Sequence, residues 1–123
     1  MKSSRGEIKI CDILDAAGLV YKEEYTFPDL VSTSGRPLWL RFDFCVFDDN
    51  GDIDFLIEYQ GIQHYEISDY FGGEEAFNKQ KDYDVKKRNY CNKNKIKLVE
   101  IPYWKLNEIR DTFIVDLLKK GKE

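Results

Sequence analysis

The chain reads as a single α/β domain with elements in the order α, β, β, β, α, β, α. Two observations carry this: a pair of strongly apolar strands around an Asn-Gly turn, and long amphipathic segments before and after them. At 123 residues, with 42% apolar residues and 15% aromatics, the chain suffices for one domain with a real core.

"SSRGEIKICDILDAAGL" opens as a helix. Ser4 and Glu7 have capping-box spacing, Ile10, Ile13, Leu14 and Ala17 recur at helical intervals, and Gly18 suits a helix end. In "YKEEYTF", Tyr21, Glu23, Tyr25 and Phe27 alternate with Lys22, Glu24 and Thr26, as in a half-exposed strand. "PDLVSTSGRP" is rich in turn residues and predicts a loop. "LWLRFDFCVF" and "DIDFLIEYQ" predict a hairpin closed by Asn50-Gly51. "GGEEAFNKQKDYDVKKRNYCNKN" predicts a long helix with Ala76, Phe77, Tyr83, Tyr90 and Cys91 on one side. "IKLVEIPY" is a short buried strand stopping at Pro102, and "KLNEIRDTFIVDLLKK" is a closing helix aligned on Ile109, Phe113 and Leu117.

No apolar run is long enough to cross a membrane, and the first residues lack the apolar core of a signal peptide. An intracellular, cytoplasmic protein with no membrane partner is expected. Cys11, Cys45 and Cys91 are widely spaced and form no C-x-x-C pair, so they read as reduced, buried thiols. The net charge of −4 is unevenly spread: Lys79 to Lys97 holds eight Lys or Arg against Asp82 and Asp84. Such a stripe on an acidic body reads either as a phosphate-binding face or as an ordinary solvated helix face.

The hairpin concentrates the polar residues. A two-residue turn sets Asp49 opposite Asp52, Phe47 opposite Asp54, Cys45 opposite Leu56, Asp43 opposite Glu58 and Arg41 opposite Gln60. The pairs Phe44–Ile57, Phe42–Tyr59 and Val46–Phe55 then share an apolar face, and a one-residue slip would scramble that segregation. Two opposed carboxylates repel unless one takes a proton or a cation sits between them. Hard oxygen donors suit Mg²⁺. The alternative is a salt-bridge cluster neutralised by Arg41.

This order, with "RGE" in the first helix, "RFDF" in the second strand, "IEYQGIQHY" ending the third and "QKDYDVKKRNYCNKNKIKLVEIPYW" after it, resembles the PD-(D/E)XK nuclease superfamily. Restriction endonucleases, Holliday-junction resolvases and very-short-patch-repair-like nucleases share that core. The likeness spans residues 4 to 104. It implies a restriction-endonuclease-like αβββαβ core, a mixed four-stranded sheet flanked by helices, and Mg²⁺- or Mn²⁺-dependent DNA cleavage. It also implies that Asp43 and Glu58 bind the metal, with Glu7 completing the set, and that a homodimer is one expected assembly. Gln60 stands where the family usually carries lysine. A basic residue from the following helix can substitute, and Lys79, Lys81 and Lys86 are candidates, with Lys86 favoured.

Glu7 is equally explained as the capping-box residue. His64 is either a loop hydrogen-bonder or a site residue beside Gln60. Lys79, Lys81, Lys86, Lys87 and Arg88 are expected to contact DNA. Trp39, Tyr65 and Trp104 read first as packing residues, with stacking on a base as the alternative. Two further readings stand beside the nuclease: a catalytically weak or inactive nucleic-acid-binding module on the same fold, and a protein-interaction accessory domain.

Overall fold

A computed structural model of the chain describes residues 5–32, 38–61, 65, 67 and 72–108. The elements are α1 (Arg5–Ala16), β1 (Val20–Ser32), β2 (Leu38–Phe47), β3 (Ile53–Gln60), α2 (Gly73–Lys93) and β4 (Lys97–Pro102), followed by a 3₁₀ helix over Tyr103–Glu108. The strands form one mixed sheet in the order β1-β2-β3-β4. β1–β2 and β2–β3 are antiparallel, and β3–β4 is parallel. The closing helix expected over residues 105–120 lies outside the described residues beyond Glu108; its first residues belong to the 3₁₀ helix.

Both faces of the sheet are covered. Ile10, Ile13 and Leu14 of α1 pack with Phe44, Val46, Phe55, Ile57 and Ile101. On the other face Cys91 of α2 packs with Phe27, Leu30, Leu40, Phe42, Cys45 and Leu56. Double coverage explains why β2 and β3 read as nearly continuous apolar runs. It also corrects the expectation of a single apolar core face. Burial pushes the Cys45 and Cys91 thiols up to about 11, which leaves them largely protonated and unreactive near neutrality.

α1 ends as expected at Gly18. Its φ of +71° lies in the left-handed region, with Leu19 N–H donating to the Leu14 carbonyl and Gly18 N–H to the Asp15 carbonyl. α2 ends the same way on Lys95, at φ +57°. At the other end of α1, Gly6 lies on the Tyr59 ring. A Cβ there would come within 2.3 Å of that ring. Gly6→Ala is therefore expected to overpack the contact and destabilise the fold by about 1–3 kcal/mol, measurable by urea denaturation.

The loop expected over residues 28–37 begins later than the composition suggests, because β1 continues through Pro28 to Ser32. β1 is an edge strand, where a missing N–H is tolerated. The β1–β2 register shifts between Thr26 and Val31. Phe27 and Leu30 anchor this irregular stretch in the core, and the Tyr90 hydroxyl donates to Asp29 at 2.6 Å.

The hairpin closes differently from the two-residue turn. Asp48 N–H donates to the Asp52 carbonyl and Gly51 N–H to the Asp48 carbonyl, so three residues form the loop. The Asp48 carboxylate accepts the N–H groups of Asn50 and Asp52, and Gly51 takes φ +85°. Phe47 therefore pairs with Ile53 instead of Asp54. The extra residue is absorbed at once: Val46 pairs with Phe55, Cys45 with Leu56 and Phe44 with Ile57, as expected. Asp54 is the bulge that restores the register.

Candidate functional site

Beyond the Phe44–Ile57 pair the two carboxylates enter the strand hydrogen bonding. Asp43 N–H donates to Glu58 Oε1 at 3.0 Å, and Tyr59 N–H donates to Asp43 Oδ2 at 2.7 Å. Each acid caps the opposite strand. The sequence reading that brings Asp43 and Glu58 together agrees with this geometry, while Arg41 does not join them. Arg41 is exposed and pairs with Glu24 on β1.

Side-chain alternation resets at this rung. Phe42 packs beside Phe27 on the α2 side, whereas Phe44 packs beside Tyr21 and the α1 residues. Across β1, Tyr21 belongs to the α1 side and Tyr25 to the α2 side. Between them Glu24 has φ +52°, an uncommon conformation for a side-chain-bearing residue. Both strands thus turn over together and the register is kept. The expected Phe42–Tyr59 face is corrected accordingly: Tyr59 lies under α1, against Gly6.

Glu7, in the first turn of α1, lies close enough to Asp43 to add to the rise of its carboxyl. Burial, first, and the Glu58 charge, second, push the Asp43 carboxyl up to about 8; the Tyr59 N–H opposes them, and Glu7 adds to the rise. The capping-box partner Ser4 lies outside the described residues.

Glu58 is 5% exposed, and Lys87 of α2 reaches it: Nζ donates to Oε2 at 2.9 Å. The ammonium also lies 5.5 Å from the centroid of the Phe42 ring. This corrects the choice of Lys86, which points outward and pairs with Asp82 one turn away at 2.9 Å. Gln80, Asp84, Lys87 and Cys91 follow helical spacing, with Asp84, Lys87 and Cys91 buried and Gln80 donating to Asp84 at 3.0 Å. That stripe was present in the sequence but is polar, so a search for aromatic residues passes over it.

Gln60 points to the same side as Glu58 and is 4% exposed. Its amide donates to Glu100 Oε2 at 2.8 Å, and its carbonyl accepts from the Tyr65 hydroxyl. Arg88 holds Glu100 through both carboxylate oxygens, at 3.1 and 3.0 Å. The parallel register sets Glu100 beside Glu58, which brings this second polar cluster next to the first. Glu100 was not singled out in the sequence, and Tyr65, read there as a packing or stacking residue, instead donates its hydroxyl to Gln60.

The basic stripe divides by helical angle. Lys87 turns inward, Arg88 toward β4, and Lys86 outward; Lys79 and Lys81 are exposed. Lys81 lies 5.6 Å from the Tyr65 ring and 5.2 Å from the Phe77 ring. Lys87 is therefore corrected from a surface DNA contact to a buried partner of Glu58. His64 lies outside the described residues.

Among the described residues no three His, Cys, Asp or Glu side chains converge as a ready-made metal cage. The donor chemistry nevertheless fits a hard cation. Asp43, Glu58 and Glu7 are oxygen donors, and burial first, then the neighbouring Glu58 charge, raises the Asp43 carboxyl, a rise that a cation beside it would oppose. Among the described residues no helix is long and apolar enough to cross a membrane.

No protein-family model matches the chain, and no solved structure matches it significantly. It is similar to three viral proteins of uncharacterized function. It is 29% identical over 116 residues to protein 307L of Invertebrate iridescent virus 6, covering 84% of this chain and 58% of the relative. It is 33% identical over 115 residues to protein 033L of Invertebrate iridescent virus 3, covering 86% and 53%. It is 51% identical over 49 residues to protein 094L of Frog virus 3 (isolate Goorha), covering 38% and 32%. The chain thus spans well under two thirds of each of these relatives.

Proposed function

We propose that the chain is a metal-dependent DNA endonuclease of the PD-(D/E)XK type, built on a restriction-endonuclease-like core. The observation that carries this reading is the joining of Asp43 and Glu58 across β2 and β3, with Lys87 on the outer oxygen of Glu58 and Glu7 close to Asp43. Asp43 and Glu58, with Glu7, would hold Mg²⁺ or Mn²⁺, which supplies Lewis acidity toward a water and the scissile phosphate. Lys87 takes the part that lysine at position 60 plays in the family: it fixes the Glu58 carboxylate and keeps a positive charge beside it. Gln60 ties the end of β3 to Glu100 and Tyr65, a positioning role. Arg88, Lys81, Lys79 and Lys86 neutralise flanking phosphates, a contribution that weakens with salt.

A second reading draws on one feature. Gln60 is neutral and engaged at both ends, which suits a module that binds DNA without cutting it. Incubation with plasmid, single-stranded and branched DNA, with Mg²⁺ or Mn²⁺ and then with EDTA, separates the two. Metal-dependent cutting that Glu58→Gln abolishes supports the nuclease. A salt-sensitive gel shift without cutting selects the binding module. Neither cutting nor binding ends both readings and leaves the protein-interaction domain.

A further inference from the structure

On the face of the sheet beside α1, past the Asp43 rung, lies a groove of about 560 Å³ lined by Thr26, Pro28, Leu38, Trp39 and Arg41. Trp39 is 58% exposed and Leu38 49%. Leu40 and Phe42 point into the core on the α2 side, so Trp39 and Arg41, which alternate with them, face the other way. The groove exists because β1 holds more residues than β2 between the Thr26–Arg41 and Val31–Trp39 pairs. Phe27, Leu30 and the Asp29–Tyr90 hydrogen bond pin that stretch from behind. The floor is therefore braced, and more than half of the Trp39 indole stands open to solvent.

We propose that this groove is a subsite for an unpaired nucleobase flanking the reacting phosphate, with the Trp39 indole as its stacking platform. The inference rests on the nuclease reading and names the class of substrate: DNA with a single-stranded, frayed or branched segment beside the cut. Three features select a base over other occupants. The lining combines a flat aromatic surface with Pro28 and Leu38, which suits a π-face, and bases stack on such platforms with little regard to sequence. Arg41 lines the same groove, and its planar guanidinium, held at the rim by Glu24, adds a second flat surface on which a base stacks. The groove is also continuous with the site along β2. Trp39 precedes Asp43 by four residues, about 13 Å at the rise of an extended strand. That is the reach of a flanking nucleotide. A base inside an intact duplex is stacked on both sides and cannot enter without being unpaired.

The test uses the full chain with Trp104→Phe, so that Trp39 is the sole indole, and EDTA to prevent cutting. A single-stranded oligonucleotide and a blunt duplex of the same sequence are titrated, following tryptophan emission and, separately, the anisotropy of a labelled strand. The single strand is expected to quench Trp39 and the duplex to leave it unchanged. Trp39→Ala is expected to weaken single-strand binding roughly tenfold or more. Duplex affinity should change less than about twofold, and Trp39→Phe should retain part of the binding. Equal losses for both DNAs, or no quench with undiminished binding, overturns the subsite while leaving the nuclease reading standing. No binding and no metal-dependent cleavage of any DNA overturns both. Quenching that follows protein concentration alone makes the groove a contact between two copies of the chain and overturns the proposal.

Discussion

Lys87→Met is expected to lower stability by about 3–5 kcal/mol, because it leaves the buried Glu58 carboxylate without its cation. The melting temperature should drop by on the order of 10 °C. Lys86→Met removes only a partly exposed pair with Asp82 and should change stability by less than about 0.5 kcal/mol. The double variant Lys87→Met/Glu58→Gln should recover much of the lost stability, since no uncompensated charge remains. On the proposed mechanism it should not recover DNA cleavage. Thermal melts of the four proteins, with plasmid nicking in parallel, separate the structural role of Lys87 from its chemical one. Equal losses in the Lys86 and Lys87 variants would return the site to the arrangement expected from the sequence.

Asp43→Asn should remove a pH dependence. A carboxyl with a folded-state pKa of about 8 and an ordinary value near 3.8 binds its proton more tightly in the folded chain. The stabilisation this provides is fully present below the ordinary value, declines as pH rises between the two, and is gone above about 8. Without metal, the wild-type protein should therefore lose stability across that window. Asparagine keeps an oxygen for the Tyr59 N–H and offers an N–H toward Glu7, with no charge to repel Glu58. The variant should lack this decline and melt higher than wild type at about pH 8.5. If Asp43 takes part in metal binding, Mg²⁺ should raise the wild-type melting temperature more at about pH 8.5 than at about pH 6, where a proton competes for the site. It should do little for the variant. A flat wild-type profile would show that Asp43 ionises normally.

Much of this pair was legible in advance. Alternating apolar residues set the register of β2 against β3, and the penalty for a one-residue slip protected that reading from a wrong turn. The turn has three loop residues where two were expected, yet the bulge at Asp54 returns the strands to the expected pairs. Asp43 and Glu58 could be brought together for that reason. Arg41 was wrongly grouped with them, because strict alternation does not survive the rung where Glu24 adopts a positive φ.

The lysine was legible only in part. The charge run on α2 was plain, but adjacent residues of a helix point about 100° apart, so Lys86, Lys87 and Arg88 have three different destinations. The choice of Lys87 depends on how α2 lies over β3. That is settled by apolar contacts around Cys91, Leu56 and Phe42. Local periodicity, turn chemistry and composition thus determined by themselves the α/β class, the element order through β4 and the pairing of the two acids, since these depend on neighbours in the chain or on one hairpin. Tertiary structure alone decided which cation meets Glu58, that Gln60 is spent on Glu100 and Tyr65, and that Trp39 is left open to solvent. Each of these depends on contacts between segments far apart in sequence, whose geometry is set by packing rather than by spacing.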